Sequence, residues 1–322
     1  MGNKKAVKQF LPALAKWQRN HGYPFEFSTE ASVNLADDDQ LLQLMRAANF
    51  MGVFIGIESP DTDTLVSMQK KQNTRRSLRA SVHKIYGAGM FVTAGFILGF
   101  DSEKGSVAEG MIASIEETAI PICMVGLLHA LPGTQLTRRL AREGRLFAGN
   151  RTWAKSDRRA DWYAEGGLNF DTARPRREIL ADYVHVLERI YGPDAYFARV
   201  KHVGRHLRLP PAEGLLPLTP GELLMSVWLL WYLLWKRPWL IGRFWATALD
   251  CFMHNRAALK SVMMLMALYI HLGSFAATVA KALEAQIARL DEGAWQPPPR
   301  VPIPAASPPA LRAGAIPAKA AS

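Results

Sequence analysis

Cysteine is nearly absent from this chain, because its 322 residues include only two, Cys123 and Cys251. They lie far apart between apolar residues, so the sequence offers neither a disulfide framework nor the ligand spacing of a zinc site. We therefore expect a reducing compartment and no metal site. No apolar segment of signal-peptide length follows the basic N-terminus, which predicts a cytoplasmic protein.

Acidic residues are the second scarce class: 28 Asp and Glu stand against 39 Lys and Arg, which leaves a net charge of +11. This balance favours anionic partners, namely phosphate-bearing ligands, acidic lipid surfaces or nucleic acid. Nucleic acid is not expected, since the basic residues are not interleaved with aromatic residues on a recognisable binding module. Hydrophobic residues make up 49% of the chain, which is typical of a globular protein.

The first 145 residues alternate short β-rich runs with helical patterns. The predicted strands cover residues 25–32, 52–58, 91–100 and 120–129. Asp37 or Asp38 can cap the helix after the first strand, and Thr134 can cap the helix after the fourth. The third strand is apolar nearly throughout, as expected when both of its faces are covered. The pattern predicts an α/β fold of about four βα units, preceded by a helix over residues 4–19 whose own strand is missing.

The rest of the chain changes character three times. Residues 146–220 are rich in arginine and interrupted by glycine and proline, and we interpret them as a basic connector with one helix over about 177–191. Residues 221–292 are helical and apolar, which predicts a mostly α-helical C-terminal domain. Residues 293–322 are rich in proline and alanine and lack large apolar side chains, so a disordered tail is predicted.

Four strand endings carry a resemblance to a known family: residues 28–32, 56–59, 95–103 and 129–134. In this order and spacing they resemble the later strands of the radical S-adenosylmethionine barrel. More narrowly, they resemble its cobalamin-binding-domain-containing, hopanoid C-2 methylase-like group. A weaker likeness continues through residues 190–199. The resemblance implies that residues 1–145 form a partial (β/α) barrel and that the chain corresponds to the C-terminal half of such an enzyme.

The resemblance also implies where S-adenosylmethionine would bind. Ligands of βα barrels lie at the carboxyl ends of the strands, where loops and helix N-termini present polar groups. The Glu58–Ser59 strand end would contact the sugar and the methionyl part. Gly95 and Gly99 would let adenine approach the backbone beside the apolar Ile97. The full set of expected contacts is Glu30, Glu58, Ser59, Gly95, Ile97, Gly99 and His129.

Each of these residues also has a structural interpretation. The carboxylates are common at solvated strand ends, the glycines suit close helix–strand packing, and a lone histidine is more often a hydrogen-bonded structural residue. The family pattern places an acid at the eighth position of the Gly95 strand, where this chain has Ser102. Because the acid comes one position later, at Glu103, an adenine role for it is not expected. No catalytic residue is predicted.

The cluster ligands of the family are missing. Radical chemistry in this family requires a four-iron cluster on a Cys-x-x-x-Cys-x-x-Cys loop, and this chain has no such loop, no first two barrel strands and no cobalamin domain. The expected partner is therefore an N-terminal fragment that carries the cluster loop, and without it the chain is expected to be inactive.

The helices over residues 223–280 leave an alternative function open. Residues 223–235 form an uncharged run of thirteen, too short to cross a bilayer, whereas residues 261–280 have the length but carry polar groups. Tryptophans beside Lys236 and Arg237 suit a membrane–water interface. The helices form either a buried bundle or a peripheral contact with the inner membrane. In the second case the chain would be a non-catalytic membrane or scaffold protein.

Overall fold

A four-stranded parallel sheet forms the N-terminal part of the fold. The computed structural model describes residues 3–61, 64–65, 77–148, 167–209 and 220–302. The strands, which pair in chain order, are β1 (Phe27–Ala31), β2 (Phe50–Glu58), β3 (Phe91–Leu98) and β4 (Ile122–Leu127). The helices are α1 (Lys4–Asn20), α2 (Asp39–Ala47), α3 (Leu78–Gly87), α4 (Ala108–Thr118), α5 (Gln135–Arg142), α6 (Arg176–Ile190), α7 (Pro193–His206), α8 (Pro220–Lys236), α9 (Ile241–His254) and α10 (Leu259–Asp291).

Local chemistry accounts for these boundaries. The Asp38 carboxylate accepts a hydrogen bond from the amide of Leu41 at 3.1 Å, and the Thr134 hydroxyl accepts one from the amide of Thr137 at 3.2 Å. Both helix caps were predicted. The α/β class and the helical C-terminal region are confirmed.

Alternate residues of the strands face opposite environments. One row is buried under the helices and consists of Val53, Ile55, Ile57, Val92, Ala94, Phe96, Leu98, Cys123 and Val125. The other row, which we call the open row, is half-buried or exposed and consists of Glu30, Phe54, Thr93, Gly95, Ile97 and Met124. Cover on both faces of β3 was predicted from its apolar run, and this is wrong for the described residues, since its second row is not buried.

The strand order explains why only one face is buried. Crossovers between parallel strands are right-handed, so an order without reversal places all the connecting helices on one side of the sheet. A doubly wound sheet reverses its order and gains helices on both sides. The order β1-β2-β3-β4 has no such reversal.

The outer edge of β4 is closed by side chains rather than by a strand. The Tyr191 hydroxyl donates to the carbonyl of Cys123 at 2.7 Å and accepts from the amide of Cys123 at 3.3 Å. The Tyr183 hydroxyl of α6 donates to the carbonyl of Val125 at 2.7 Å. At the end of β4, the amide of Leu168 donates to the carbonyl of Leu128 at 2.8 Å. Four of the backbone groups along this edge are therefore already bonded and are not open to a further strand.

The predicted connector contains two helices, α6 and α7, where one was expected. Both contribute to the core, and buried tyrosines join them to α10. The Tyr196 hydroxyl of α7 donates to the carbonyl of Leu265 at 2.8 Å, and the Tyr269 hydroxyl of α10 donates to the carbonyl of Tyr191 at 3.0 Å. Two stretches of the connector, 149–166 and 210–219, lie outside the described residues.

The predicted disordered tail is bound to the domain over its first residues. Residues 295–302 follow α10, and Arg300 bridges Phe147. The amide of Val301 donates to the carbonyl of Leu146 at 2.8 Å, and Arg300 pairs with Asp171 at 2.8 Å. Disorder is therefore a wrong expectation for this stretch, because backbone pairing needs no large apolar side chain. Residues 303–322 lie outside the described part.

Within the part of the chain that the structure describes, one helical stretch meets the length and composition test for a membrane span. It is Arg256–Asp291, and 33% of its most apolar window is buried. Core helices of globular proteins pass the same test.

A histidine stack joins α3 to α7. The Nε2 atoms of His83 and His202 lie 3.2 Å apart, and the rings of His202 and His206 are stacked at 4.0 Å. Burial and the neighbouring His206 and His83 lower the pKa of His202 to about 4. The folded protein therefore favours the neutral ring.

We predict that His202 makes the protein less stable in mild acid. An unfolded histidine binds its proton near pH 6.5, whereas folded His202 does so near 4. Its contribution is fully present above pH 6.5 and is lost as the pH falls towards 4. In His202→Gln, the loss of unfolding free energy between pH 7 and pH 4.5 should shrink by about 1–2 kcal/mol after discounting for partial exposure. Urea titrations across this range measure it, with exposed His271→Gln as the control; parallel curves for wild type and His202→Gln would contradict the prediction.

Candidate functional site at the carboxyl ends of the strands

The end of β2 has an unusual backbone. Glu58 adopts a left-handed conformation with φ of 71°, and the pairing register of β2 with β3 shifts between Gly56 and Glu58. A non-glycine residue in this region is uncommon, and such conformations concentrate at functional sites. The half-buried Glu58 therefore stays a strong candidate.

Ser59, the next predicted contact, is buried within its own loop. Its hydroxyl accepts a hydrogen bond from the amide of Asp61 at 3.1 Å. The Asp61 carboxylate accepts from the Thr64 amide at 2.8 Å and the Thr64 hydroxyl at 2.6 Å, and the Ser102 hydroxyl donates to that hydroxyl at 3.0 Å. Ser59 thus belongs to a chain of polar groups that joins the loops after β2 and β3.

Gly95 and Ile97 lie on the open row, with Phe54 beside them. A Cβ added at Gly95 would lie 2.9 Å from the ring of Phe54, so this ring occupies the space that the missing side chain leaves. Glu30 pairs in register with Phe54 on the same row. The row therefore combines a carboxylate, an aromatic ring and a glycine, which suits a flat heterocycle with hydroxyl groups. Sequence reasoning missed Phe54, although its position two residues before Gly56 was a usable signal.

Gly99 is placed differently from Gly95. Its φ is 99°, and a Cβ there would lie 2.6 Å from Cδ2 of Leu168. The amides of Gly99 and Phe100 donate to one carboxylate oxygen of Glu103 at 2.8 and 3.1 Å. Of the two roles weighed for Gly99, close packing and the turn fit this geometry, because Leu168 fills the space that adenine would need.

Glu103 belongs to a buried ion network. Its carboxylate accepts from Arg174 at 3.0 Å, and Arg174 also pairs with Asp182 at 2.8 Å. Burial alone would lower the pKa of Arg174, but its bonds to Asp182 and Glu103 raise it, so the guanidinium is charged. The expectation that Glu103 takes no adenine role agrees with this geometry.

A cleft of about 640 Å³ opens beside the ends of β3 and β4. Its lining includes Phe100, Asp101, Leu128 and the arginines of α5, namely Arg138, Arg139 and Arg142. Asp101 pairs with Arg139 at 2.8 Å and with Arg145 at 2.6 Å. Sequence reasoning treated these arginines as part of a solvated basic segment and did not connect them with the strand ends.

The predicted contacts thus fall into three groups. Glu30, Gly95 and Ile97 share the open row, whereas Glu58 ends β2 and, after the register shift, pairs with Phe96 of the buried row. Ser59 and Gly99 are buried in the adjoining loops. His129 follows β4 and is half-buried, next to Ala130, whose amide donates to the Asn169 side chain at 2.8 Å. The structure therefore brings three of the seven predicted contacts onto one row and places the other four around it.

Neither cysteine is suited to hold a metal or a cluster. Both are buried, and burial raises the pKa of Cys123 to about 12 and that of Cys251 to about 11. Over the described ranges, no three His, Cys, Asp or Glu side chains come together as metal ligands.

Comparison with known proteins places the chain in context. Residues 134–285 match a family described as a domain of unknown function, DUF4070. The chain is 43% identical over 199 residues to an uncharacterized methyltransferase of Synechocystis sp., covering 62% of this chain and 36% of that protein. It is 34% identical over 220 residues to the hopanoid C-2 methylase of Rhodopseudomonas palustris, covering 68% of this chain and 38% of that protein.

These relatives confirm the resemblance to the hopanoid C-2 methylase-like group of radical S-adenosylmethionine proteins. The matched region corresponds to little more than a third of each curated relative.

Proposed function

We propose that this chain is the C-terminal part of a radical S-adenosylmethionine enzyme of the B12-dependent type. Such an enzyme would act on an unactivated carbon, with methyl transfer to a lipid-like substrate as the reaction. The observation that carries the proposal is the sheet with one covered face. A (β/α) barrel also has strands in chain order, helices outside and ligands at the carboxyl ends of the strands. On this proposal the open row faces the barrel interior.

The open row would hold the nucleoside part of S-adenosylmethionine. Glu58 and Glu30 would accept hydrogen bonds from ribose hydroxyls or the ammonium group, and Ile97 and Phe54 would contact adenine above Gly95. Ser59 and Gly99 would position the loops around it, and His129 would lie on the β4 side of the site. When bound, S-adenosylmethionine supplies an electrophilic sulfonium; the chain's residues bind and orient it.

The residues of this chain do not fit an iron–sulfur cluster. Three exposed thiolates are required, whereas the two cysteines here are buried. The proposal therefore includes a partner segment that carries the cluster loop and covers the open row, beside β1, whose outer edge pairs with no described strand.

Trans-complementation tests this function. The chain is co-expressed with the segment of the hopanoid C-2 methylase that it does not cover, reconstituted without oxygen and assayed for 5′-deoxyadenosine. We expect product above that of either polypeptide alone. Glu58→Gln should lower it at least about tenfold, since charged hydrogen bonds contribute roughly 1.5–3 kcal/mol. Glu117→Gln, on the exposed side of α4, is the matched control and should retain activity.

A structural readout separates failure to pair from failure to react. Met124 on the open row is 60% exposed, so a cysteine placed there should be alkylated in the isolated chain and protected in the complex. Absence of both protection and product would refute the barrel proposal, whereas protection without product would refute only the assigned chemistry.

A second function, peripheral contact with the cytoplasmic side of the inner membrane, is favoured by α8. Its exposed face, together with Trp239 in the turn that follows the helix, forms what we call the tryptophan surface. The members, each at least half exposed, are Leu224, Val227, Trp228, Trp231, Trp235 and Trp239. Leu229 and Leu233 lie buried on the opposite side. Exposed tryptophans on an amphipathic helix suit the interface of a bilayer. This contact would also bring a lipid-like substrate to the enzyme.

A further inference from the structure

A groove of about 360 Å³ lies where the tryptophan surface meets α10. Arg237 and Trp239 line one side, and Ser274, Thr278 and Lys281 line the other. Nothing in the proposed catalysis uses these residues. The lining includes two cations, two aliphatic hydroxyls and an indole, together with apolar side chains such as Leu240 and Ile270.

The cations of the groove are available to a ligand. Arg237 donates to the Ser274 hydroxyl at 2.9 Å, and its guanidinium carbon lies 5.4 Å from the centre of the Trp239 ring. Among the residues the structure describes, no carboxylate lies within ion-pair distance of Arg237 or Lys281. Between residues 224 and 281 the sequence has one acid, Asp250, which pairs with Arg205.

The polar side chains that α10 contributes to the groove lie on one face of the helix. Residues 274, 277, 278 and 281 follow the spacing of one helix face, and all four are exposed. Ser274 and Thr278 donate their hydroxyl protons to carbonyls one turn earlier, both at 2.9 Å. The Ser274 oxygen also accepts from Arg237 at 2.9 Å, so the two hydroxyls of α10 lie on the same face of the groove as one of its cation contacts. Gly273 has no side chain, and a Cβ there would lie 3.0 Å from the ring of Tyr269, so the glycine leaves room for this ring at the base of the groove.

We propose that this groove binds the phosphate of an anionic phospholipid headgroup. This inference rests on the membrane contact described above and gives it a specific ligand. Arginine and lysine recognise phosphate through charge-assisted hydrogen bonds, and interfacial tryptophans lie at the depth of the headgroups. Trp239 belongs both to the tryptophan surface and to the groove, so a bilayer that meets that surface brings its phosphates to Arg237 and Lys281.

Vesicle partitioning of the full chain is the first test. Vesicles of phosphatidylcholine with 30% phosphatidylglycerol are compared for Arg237→Gln/Lys281→Gln and for Lys236→Gln/Arg289→Gln. Both doubles lose the same charge, but Lys236 and Arg289 do not line the groove. We expect the groove variant to bind at least tenfold more weakly and the control to stay within about threefold of wild type, since each cation near the surface also adds general attraction. Equal loss in the two doubles would overturn the proposal.

Alkylation of a cysteine placed in the groove is the second test. It keeps Arg237 and Lys281, so it does not depend on the folding of the charge variants. Cys123 and Cys251 are buried, so Ala277→Cys introduces an exposed thiol in the groove, and Ala288→Cys introduces one on α10 outside it. Phosphatidylglycerol vesicles should slow alkylation of Ala277→Cys about tenfold and leave Ala288→Cys unchanged, and pure phosphatidylcholine should protect neither.

The remaining outcomes are also decisive. Protection of Ala277→Cys by sn-glycerol 3-phosphate alone, at the lipid concentration used, would assign the groove to soluble phosphate esters and overturn the lipid assignment. Absence of any vesicle binding by wild type would overturn this inference and the membrane contact together. The deoxyadenosine assay of the complemented enzyme would be untouched by either result.

Discussion

Replacing Arg174 by methionine is expected to lower the free energy of unfolding by about 3–5 kcal/mol, the range for removing one partner of a buried ion pair. The Glu103 side chain is 0% exposed and that of Asp182 is 12% exposed. Without the guanidinium, two carboxylates face each other with little access to water. The Glu103 carboxylate also holds the loop after β3 through the amides of Gly99 and Phe100. Urea unfolding followed by circular dichroism measures the expected loss of unfolding free energy.

Arg139→Met is the matched control for this change. Arg139 also pairs with a carboxylate, Asp101, but its side chain is 46% exposed and Asp101 keeps Arg145 as a second partner. We expect a loss below about 1 kcal/mol. Losses of equal size in the two variants would show that the Glu103–Arg174–Asp182 network is not a buried one.

The second large effect is expected for Gly99→Ala, at about 2–4 kcal/mol. A φ of 99° disfavours any residue with a Cβ by roughly 1–2 kcal/mol. The new methyl group would also lie 2.6 Å from Leu168, and overpacking adds about 1–3 kcal/mol. Gly105→Ala, a short distance along the same loop, meets nothing within 4 Å and should change stability by less than about 0.5 kcal/mol. A Gly99→Ala protein as stable as wild type would mean that Leu168 does not occupy this space.

The sheet could be predicted because its signals are local. Apolar runs, caps and glycine ends lie within each βα unit, so the sequence predicts the four strands, whereas their order in the sheet comes from the structure. Glu30, Gly95 and Ile97 were expected as contacts from the family resemblance, and the structure places all three on the open row. The packing role of Gly99 could not be predicted from neighbouring residues, because its contact, Leu168, is distant in the sequence.

The ion network and the bound tail depend on contacts that no short pattern contains. Glu103 and Arg174 are 71 positions apart, and nothing beside either residue indicates the other. The tail was judged by composition, but residues 295–302 are held by backbone pairing and by Arg176, which lies 4.8 Å from the centre of the Trp295 ring. A lone tryptophan in a proline-rich stretch was the available signal.

The tyrosines along β4 also limit how copies of this protein can join. With both backbone groups of Cys123 and the carbonyl of Val125 already bonded, strand exchange between molecules is favoured on the β1 side. Growth of a fibre by edge pairing requires two acceptor edges on each molecule. Contact through one shared edge is self-complementary and closes after two copies, so crowding should lead to pairs that redissolve on dilution rather than to amyloid-like polymers.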